Sequence, residues 1–430
     1  VQLSHRPDDA KADAHAFDRL LGAGRTLARA PPRLMSPRSV LRRLATTALL
    51  LAITLVVCLA ALEIGVLLAL GEQAKFPSRV VGAPFGVRIN EPGAHYRHKS
   101  ADVEVWFRIN SRGLRDDEEH AYEKPPGQLR IVSLGDSFTV GYEVDAEETF
   151  SNVLERELRE SGLDVEVLNA GVAGYSNAEA LLYLERELLR YEPDLVLLSF
   201  FGNDLVDNTR TGLFRLDGDR LVQTGESYVP GGGLGDFLNT NPFFNFLSER
   251  SNAFVLVKEQ ATLALKRRMV EENLERLEEA GAESADAAGA VQRTLAAAIL
   301  QRLADLTRAN GIPLVIQSIP TQARPPGGLT LIDLFPVEEF DVNQEGVAFL
   351  ATKPLLEPLL GSELLYFERS HGHWTPRAHD LSGRALAKAI LDGGWLGGTA
   401  GSASPERPSR VPGHGAQEGA SATGAPSAGS

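Results

Sequence analysis

A single cysteine, Cys58, is the only thiol in 430 residues. One thiol excludes an intramolecular disulfide framework and any cysteine-based zinc site. Basic charge is also scarce: 43 Lys and Arg face 57 Asp and Glu, a net charge of −14. Nucleic-acid surfaces need clustered cations against phosphates, so no nucleic-acid partner is expected. No internal repeat is visible. What remains is an apolar fraction of 43%, ordinary for a folded chain and too high for a fully disordered one. A chain of this length can bury a large core, in one big domain or two.

A further absence is local. No residue from Ala45 to Leu62 is charged, and after Glu63 the apolar run resumes from Ile64 to Leu70. Eighteen helical residues span about 27 Å, close to the ~30 Å hydrocarbon core of a bilayer. Thr46, Thr47 and Thr54 can return their hydroxyls to backbone carbonyls. The run exceeds the ~7–15 residues of a signal peptide and ends in no clean small-x-small site. A core helix is rarely apolar on every face for so long. The expectation is one transmembrane anchor over 44–70, with Cys58 as a membrane-facing apolar side chain. Residues 1–43 carry nine basic and four acidic residues, with Arg38, Arg42 and Arg43 directly before the run. The positive-inside rule puts this flank in the cytoplasm. Everything after about Gly71, with its net charge of −19, then lies outside, in the periplasm or beyond. Met35 is the expected true start, since residues 1–34 show no clear periodicity. Residues 396–430, mostly Gly, Ala, Ser and Pro, are expected to be a disordered tail.

Between anchor and tail the expected organisation is a linker with an accessory β segment over 71–127, then one domain over 128–395. Val103, Val105, Phe107 and Ile109 share one face of a period-two stretch. Strands are expected at Leu129–Leu134, Val165–Leu168, Asp194–Phe200 and Ile312–Ile319. Helices are expected at Glu147–Glu160, Asn177–Tyr191 (with Ser176 as N-cap) and Val291–Ala309. The third strand is nearly all apolar, as a strand covered on both faces should be. Such alternation implies an α/β fold, a mostly parallel sheet with helices on both faces. Residues 205–290 break the alternation and are expected to form an insertion near the site. It would hold a hairpin over Phe214–Val222, turning at Asp217-Gly218, then Gly231–Gly233 and a group of phenylalanines.

In a parallel sheet of this kind, sites form at the carboxyl ends of the strands. The first strand runs into Gly135-Asp-Ser-Phe-Thr139, the second into Asn169-Ala-Gly-Val-Ala-Gly174 and the third into Gly202-Asn-Asp204. A histidine cluster, His371-Gly-His-Trp-Thr-Pro-Arg-Ala-His379, closes the ordered region. Each piece alone is weak, but their coincidence at successive strand ends is strong. A serine hydroxyl needs a base to take its proton, histidine is the usual one, and the oxyanion needs preorganised donors.

These motifs, the lead-in Asn110-Ser-Arg-Gly-Leu-Arg115 and the anchor together resemble membrane-anchored bacterial members of the SGNH/GDSL hydrolase superfamily, over about Val103 to Ile390. The resemblance implies a three-layer α/β/α sandwich. It implies Ser137 as nucleophile, and oxyanion donors from the Ser137 N–H, Gly174 and the Asn203 side chain. It implies a base from the histidine block, best matched by His373, with no cofactor or metal. Asp136 and Asp204 are expected to brace turns, and His379 to brace the last helix. One departure stands out. The family carries an Asp two or three residues before its histidine, where this chain has His371 and Ser370. Three alternatives follow. His373 is the base, oriented by a backbone carbonyl, water, Ser370 or His371. Or Glu368 and His371 form the acid–base pair. Or the site has decayed and the domain binds glycans or assists assembly. The leading expectation is a membrane-tethered serine esterase outside the cytoplasmic membrane, acting on an acyl ester of a lipid or an acylated polysaccharide. An O-acyltransferase or deacetylase of cell-surface polysaccharide is the enzymatic rival.

Overall fold

The computed structural model describes residues 37–71, 73, 79–100, 102–228, 237, 241–258, 260–261, 264, 285–326, 328–369 and 372–396. The start expected at Met35, most of the basic flank, the tail from residue 397 and Gly231–Gly233 lie outside them. Helix α1 spans Pro37–Leu70 and is long and apolar enough to cross a membrane. Leu49, Val56, Leu59 and Ile64 are among its many exposed side chains. The Thr46 hydroxyl donates to the Arg42 carbonyl at 2.9 Å, which satisfies the hydroxyl inside an apolar segment. Up to Gly65 the helix belongs to a unit separate from the rest of the chain.

The second unit begins with two antiparallel pairs. Strands β1 (Val80–Gly82) and β2 (Arg88–Asn90) form one, β3 (His95–Lys99) and β4 (Glu104–Arg108) the other. Along β4, Val105 and Phe107 are buried while Glu104, Trp106 and Arg108 are exposed, the alternation of a half-covered strand. The chain then alternates: β5 (Leu129–Leu134), α2 (Ser137–Val140), α3 (Phe150–Glu160), β6 (Val165–Asn169), α4 (Asn177–Arg186), β7 (Leu195–Phe201) and α5 (Asp204–Thr211). A hairpin of β8 (Phe214–Asp217) and β9 (Arg220–Gln223) follows, then α6 (Pro242–Arg250), α7 (Ala285–Ala309) and β10 (Leu314–Ile319). After a small pair, β11 (Thr321–Ala323) and β12 (Thr330–Ile332), come β13 (Val347–Ala351), α8 (Lys353–Leu356) and α9 (Pro376–Asp392).

The central sheet has the order β13-β10-β7-β5-β6, and every neighbouring pair is parallel. In order of appearance this is 2-1-3-4-5 read from its β6 edge, a doubly wound arrangement. Its switch point lies between β5 and β7, where ligands bind in such sheets. Successive side chains serve opposite layers. Val132, Leu134, Val196, Leu198, Phe200, Leu314 and Ile316 pack with α4, α5 and α7. Ile131, Leu195, Leu197, Val315 and Ile319 pack with α3 and α9.

Several boundaries differ from the sequence expectation, each for a local reason. The helix expected from Glu147 begins as a 3₁₀ turn that stops at Thr149, where the backbone is extended and the hydroxyl oxygen caps α3 by accepting from the Asn152 N–H. Ser176 does cap α4, in a reciprocal box with Glu179, but α4 ends at Arg186 and a second 3₁₀ turn completes the segment. The hairpin turns on Gly218-Asp219, because Asp217 pairs with Arg220. Within the expected insertion, Phe237, Phe243 and Phe246 are exposed.

Candidate active site

The first turn after β5 is built for close approach. Gly135 has φ of 150°, and a Cβ there would meet Thr139 Oγ1 at 2.2 Å and the Ser199 carbonyl at 3.0 Å. No side chain fits. Asp136 caps α2 by accepting from the Phe138 N–H at 2.9 Å. Ser137 thus opens α2 at the carboxyl edge of the sheet, half-buried.

The β6 loop is stitched to this turn. The Ala170 N–H donates to the Ser133 carbonyl and the Val172 N–H to that of Gly135. Asn169 Nδ2 donates to the Thr139 carbonyl at 2.8 Å. Gly171 lies so near α2 that a Cβ would meet Val140 N at 2.3 Å. Gly174 ends the loop in the left-handed region, φ 72°. Its carbonyl accepts from Arg88 Nη2 at 2.7 Å and Arg210 Nη2 at 3.3 Å, and Arg88 is itself gripped by both carboxylate oxygens of buried Glu179 at 2.7 Å. The accessory strands therefore brace this loop, a role for Arg88 that sequence reasoning missed.

At the end of β7, Asn203 Nδ2 donates to Asp136 Oδ2 at 3.2 Å. One of its two hydrogens remains for a second acceptor. Asp204 accepts from the Phe201 N–H at 2.9 Å. Asp136 and Asp204 thus brace turns, as expected. Burial pushes the Asp136 carboxyl up from its ordinary value, against the Phe138 N–H and His373, which favour the anion. Burial, then the Asp136 charge, raises Asp204 further. Burial carries nearby Asp207 up to about 7, against Arg210.

The histidine comes from the other end of the sequence. Nε2 of His373 lies 2.8 Å from Ser137 Oγ. Its segment is fixed by an isolated bridge between Tyr366 and Trp374 and by the Phe367 N–H, which donates to the His373 carbonyl at 2.9 Å. Trp374, fully buried, meets Phe138 edge-on at 5.5 Å. Tyr142 and Phe138 flank the imidazole at 5.2 and 5.0 Å. Of the alternative pair, Glu368 is exposed; His371, like Ser370, lies outside the described residues. His379 is buried, and its Nδ1 accepts from the Phe150 N–H at 3.1 Å. It joins α9 to the start of α3, and burial drives its imidazole down to about 3, so it is neutral near pH 7.

Sequence reasoning also missed Glu143. Its Oε2 lies 3.5 Å from His373 Nδ1, its side chain is buried, and its φ is 73°. Left-handed backbone costs a non-glycine residue about 1–3 kcal/mol. Nothing in the spacing of Gly141-Tyr-Glu-Val144 marks it; only the fold brings it to the imidazole. Among the described residues, no group of three or more His, Cys, Asp or Glu side chains is placed to hold a metal ion.

A serine and a histidine thus meet at the carboxyl edge of a parallel, doubly wound α/β sheet. Residues 133–333, just under half of the chain, match the model of the GDSL-like lipase/acylhydrolase family. An arylesterase from Vibrio mimicus is 35% identical over 75 residues, 17% of this chain and 38% of that protein, so the chain spans about two fifths of that relative's length. Two solved structures overlap more broadly. Esterase EstA from Pseudoalteromonas sp. covers 62% of this chain and 98% of its own, at 16% identity and a TM-score of 0.33. A putative lipolytic protein of the G-D-S-L family from Desulfitobacterium hafniense covers 61% and 99%, at 13% identity and a TM-score of 0.31.

Proposed function

We propose that this protein is a membrane-tethered serine esterase whose catalytic domain, roughly 128–395, lies on the outer side of the cytoplasmic membrane. The observation that carries the reading is the 2.8 Å separation of Ser137 Oγ and His373 Nε2, within reach for proton transfer. Ser137 Oγ attacks the acyl carbonyl while His373 takes its proton. The oxyanion is held by the Ser137 and Gly174 N–H groups and by Asn203 Nδ2. The alcohol leaves with the proton from His373. Water, deprotonated by the same imidazole, then releases the acid and restores the serine. The half-buried setting of Ser137, Gly174 and Asn203 supports the assignment, since substrate can reach all three. Orientation rests on Arg38, Arg42 and Arg43 at the amino end of α1.

The test uses the full chain in detergent micelles, with a fluorophosphonate probe and p-nitrophenyl acetate. Labelling at Ser137, and a rate loss of roughly 10³-fold or more in Ser137→Ala, are expected. A folded protein that takes no label and turns over no ester overturns the reading.

A further inference from the structure

We propose that Glu143 is the acidic residue that positions His373, supplied by the nucleophile's own loop instead of the histidine's segment. The inference rests on the esterase reading and deepens it. A histidine base needs a partner at Nδ1 that fixes the tautomer and steadies the cation formed when Nε2 takes the proton. Here Nε2 faces Ser137 at 2.8 Å and Nδ1 faces the Glu143 carboxylate at 3.5 Å. The latter is an ion-pair distance, of the kind that shortens once substrate is bound.

The backbone is the second observation. Residues 141–144 leave α2 in a tight reversal in which the Tyr142 N–H donates to the Ser137 carbonyl at 2.9 Å. Glu143 sits there with φ of 73°, a conformation that glycine adopts freely and glutamate does not. The surroundings hold it in place. The Arg115 guanidinium donates to the carbonyls of Val140 and Gly141, and to that of Val144 at 2.5 Å. Its Cζ lies 3.9 Å from the Phe107 ring centre, and His98 and Phe107 close on Tyr142. Arg115 ends the lead-in motif Asn110–Arg115, which thereby acquires a purpose. It fixes the loop that aims a carboxylate at the base. A costly conformation kept beside the catalytic histidine points to use of the side chain it displays.

The test compares full-length wild type with Glu143→Gln, Glu143→Gly and Glu143→Asp, using p-nitrophenyl acetate. Glutamine should lower kcat/KM roughly 10²- to 10⁴-fold with KM little changed. Loss of the carboxylate destabilises the His373 cation, so the rising limb of the pH–rate profile should move to lower pH. Tyr142 packs on the His373 ring and the charges of Asp136 and His379 act on it; all three are unchanged in every variant. Glycine should lose the same activity while its thermal midpoint holds or rises, because it relieves the left-handed backbone. Aspartate should recover part of the rate. An active wild type whose Gln and Gly variants run within about threefold of it, or whose pH limb does not move in Glu143→Gln, overturns the inference alone. A wild type that hydrolyses no ester overturns the esterase reading and this inference with it.

Discussion

The two sides of the site are held in different ways. Ser137, the β6 loop and Asn203 rise from β5, β6 and β7, three adjacent strands of the sheet. Two glycine contacts and the Arg115 clamp press their loops together. His373 stands on an irregular segment, anchored by the Tyr366–Trp374 bridge with its Phe367–His373 backbone bond, by the Thr375 hydroxyl on the Leu364 carbonyl and by the buried Trp374 ring. If His373 is the base, as proposed, it needs an orienting group, and the strand-built side places the Glu143 carboxylate 3.5 Å from its Nδ1. Reactive geometry tolerates little error, so an acid fixed to the nucleophile's loop ties base and nucleophile to one frame.

The comparison breaks most readily at Trp374. Trp374→Ala removes the ring that meets Phe138, Phe150 and His379. It should cost about 3–5 kcal/mol, read as a drop in the urea midpoint, with esterase activity falling further than stability predicts. An unchanged midpoint would show that the histidine side is anchored elsewhere. Arg115→Leu attacks the other side. The buried carbonyls of Val140 and Val144 lose the guanidinium, and that of Gly141 keeps only the Val144 N–H, so about 3 kcal/mol should go with them. Circular dichroism melts of the full chain would measure it. Gly171→Ala is a finer probe. The new Cβ strikes backbone at 2.3 Å, so about 2 kcal/mol of strain is expected. Gly289→Ala in α7, where the nearest atom is the end of Arg293 at 3.5 Å, should be neutral or slightly stabilising. Equal melting shifts in the two would remove the claim that the β6 loop is wedged against α2.

What the sequence could show divides along the same line. Elements of the firm side carry their pattern locally. The apolar runs of β5, β6, β7 and β10, the Gly-Asp-Ser and Gly-Asn-Asp strand ends and the Ser176 cap are readable because period and turn chemistry are short-range. The fifth strand, Val347–Ala351, was missed because it lies at the sheet edge with mostly half-buried residues and shows no clean alternation. Glu143 and Arg88 were missed for a different reason. Each is placed by a contact between segments far apart in sequence, His373 with Glu143 and Gly174 with Arg88. No local period encodes such a meeting. The missing Asp before His373 was legible as a gap, but what stands at Nδ1 is a property of the fold.

His379 joins α9 to α3, and at pH 7 its replacement carries the smallest loss of the set. Its Nδ1 accepts the Phe150 N–H at the head of α3, and burial lowers its imidazole to about 3. The unfolded chain takes up the proton near the ordinary value of ~6.5. The folded state, with the depressed pKa, binds fewer protons between about 3 and 6.5. The stability His379 lends is therefore complete above about 6.5 and drains away as pH falls toward 3. His379→Asn offers an amide oxygen to the same N–H and does not titrate in that window. At pH 7 the variant should lose about 1 kcal/mol through the lost ring stack on Phe150. At pH 4.5 the wild type should have given up about 2–3 kcal/mol that asparagine does not, so the order of the urea midpoints reverses. A gap of the same sign and size at both pH values would mean that the α9–α3 junction does not hold this imidazole neutral.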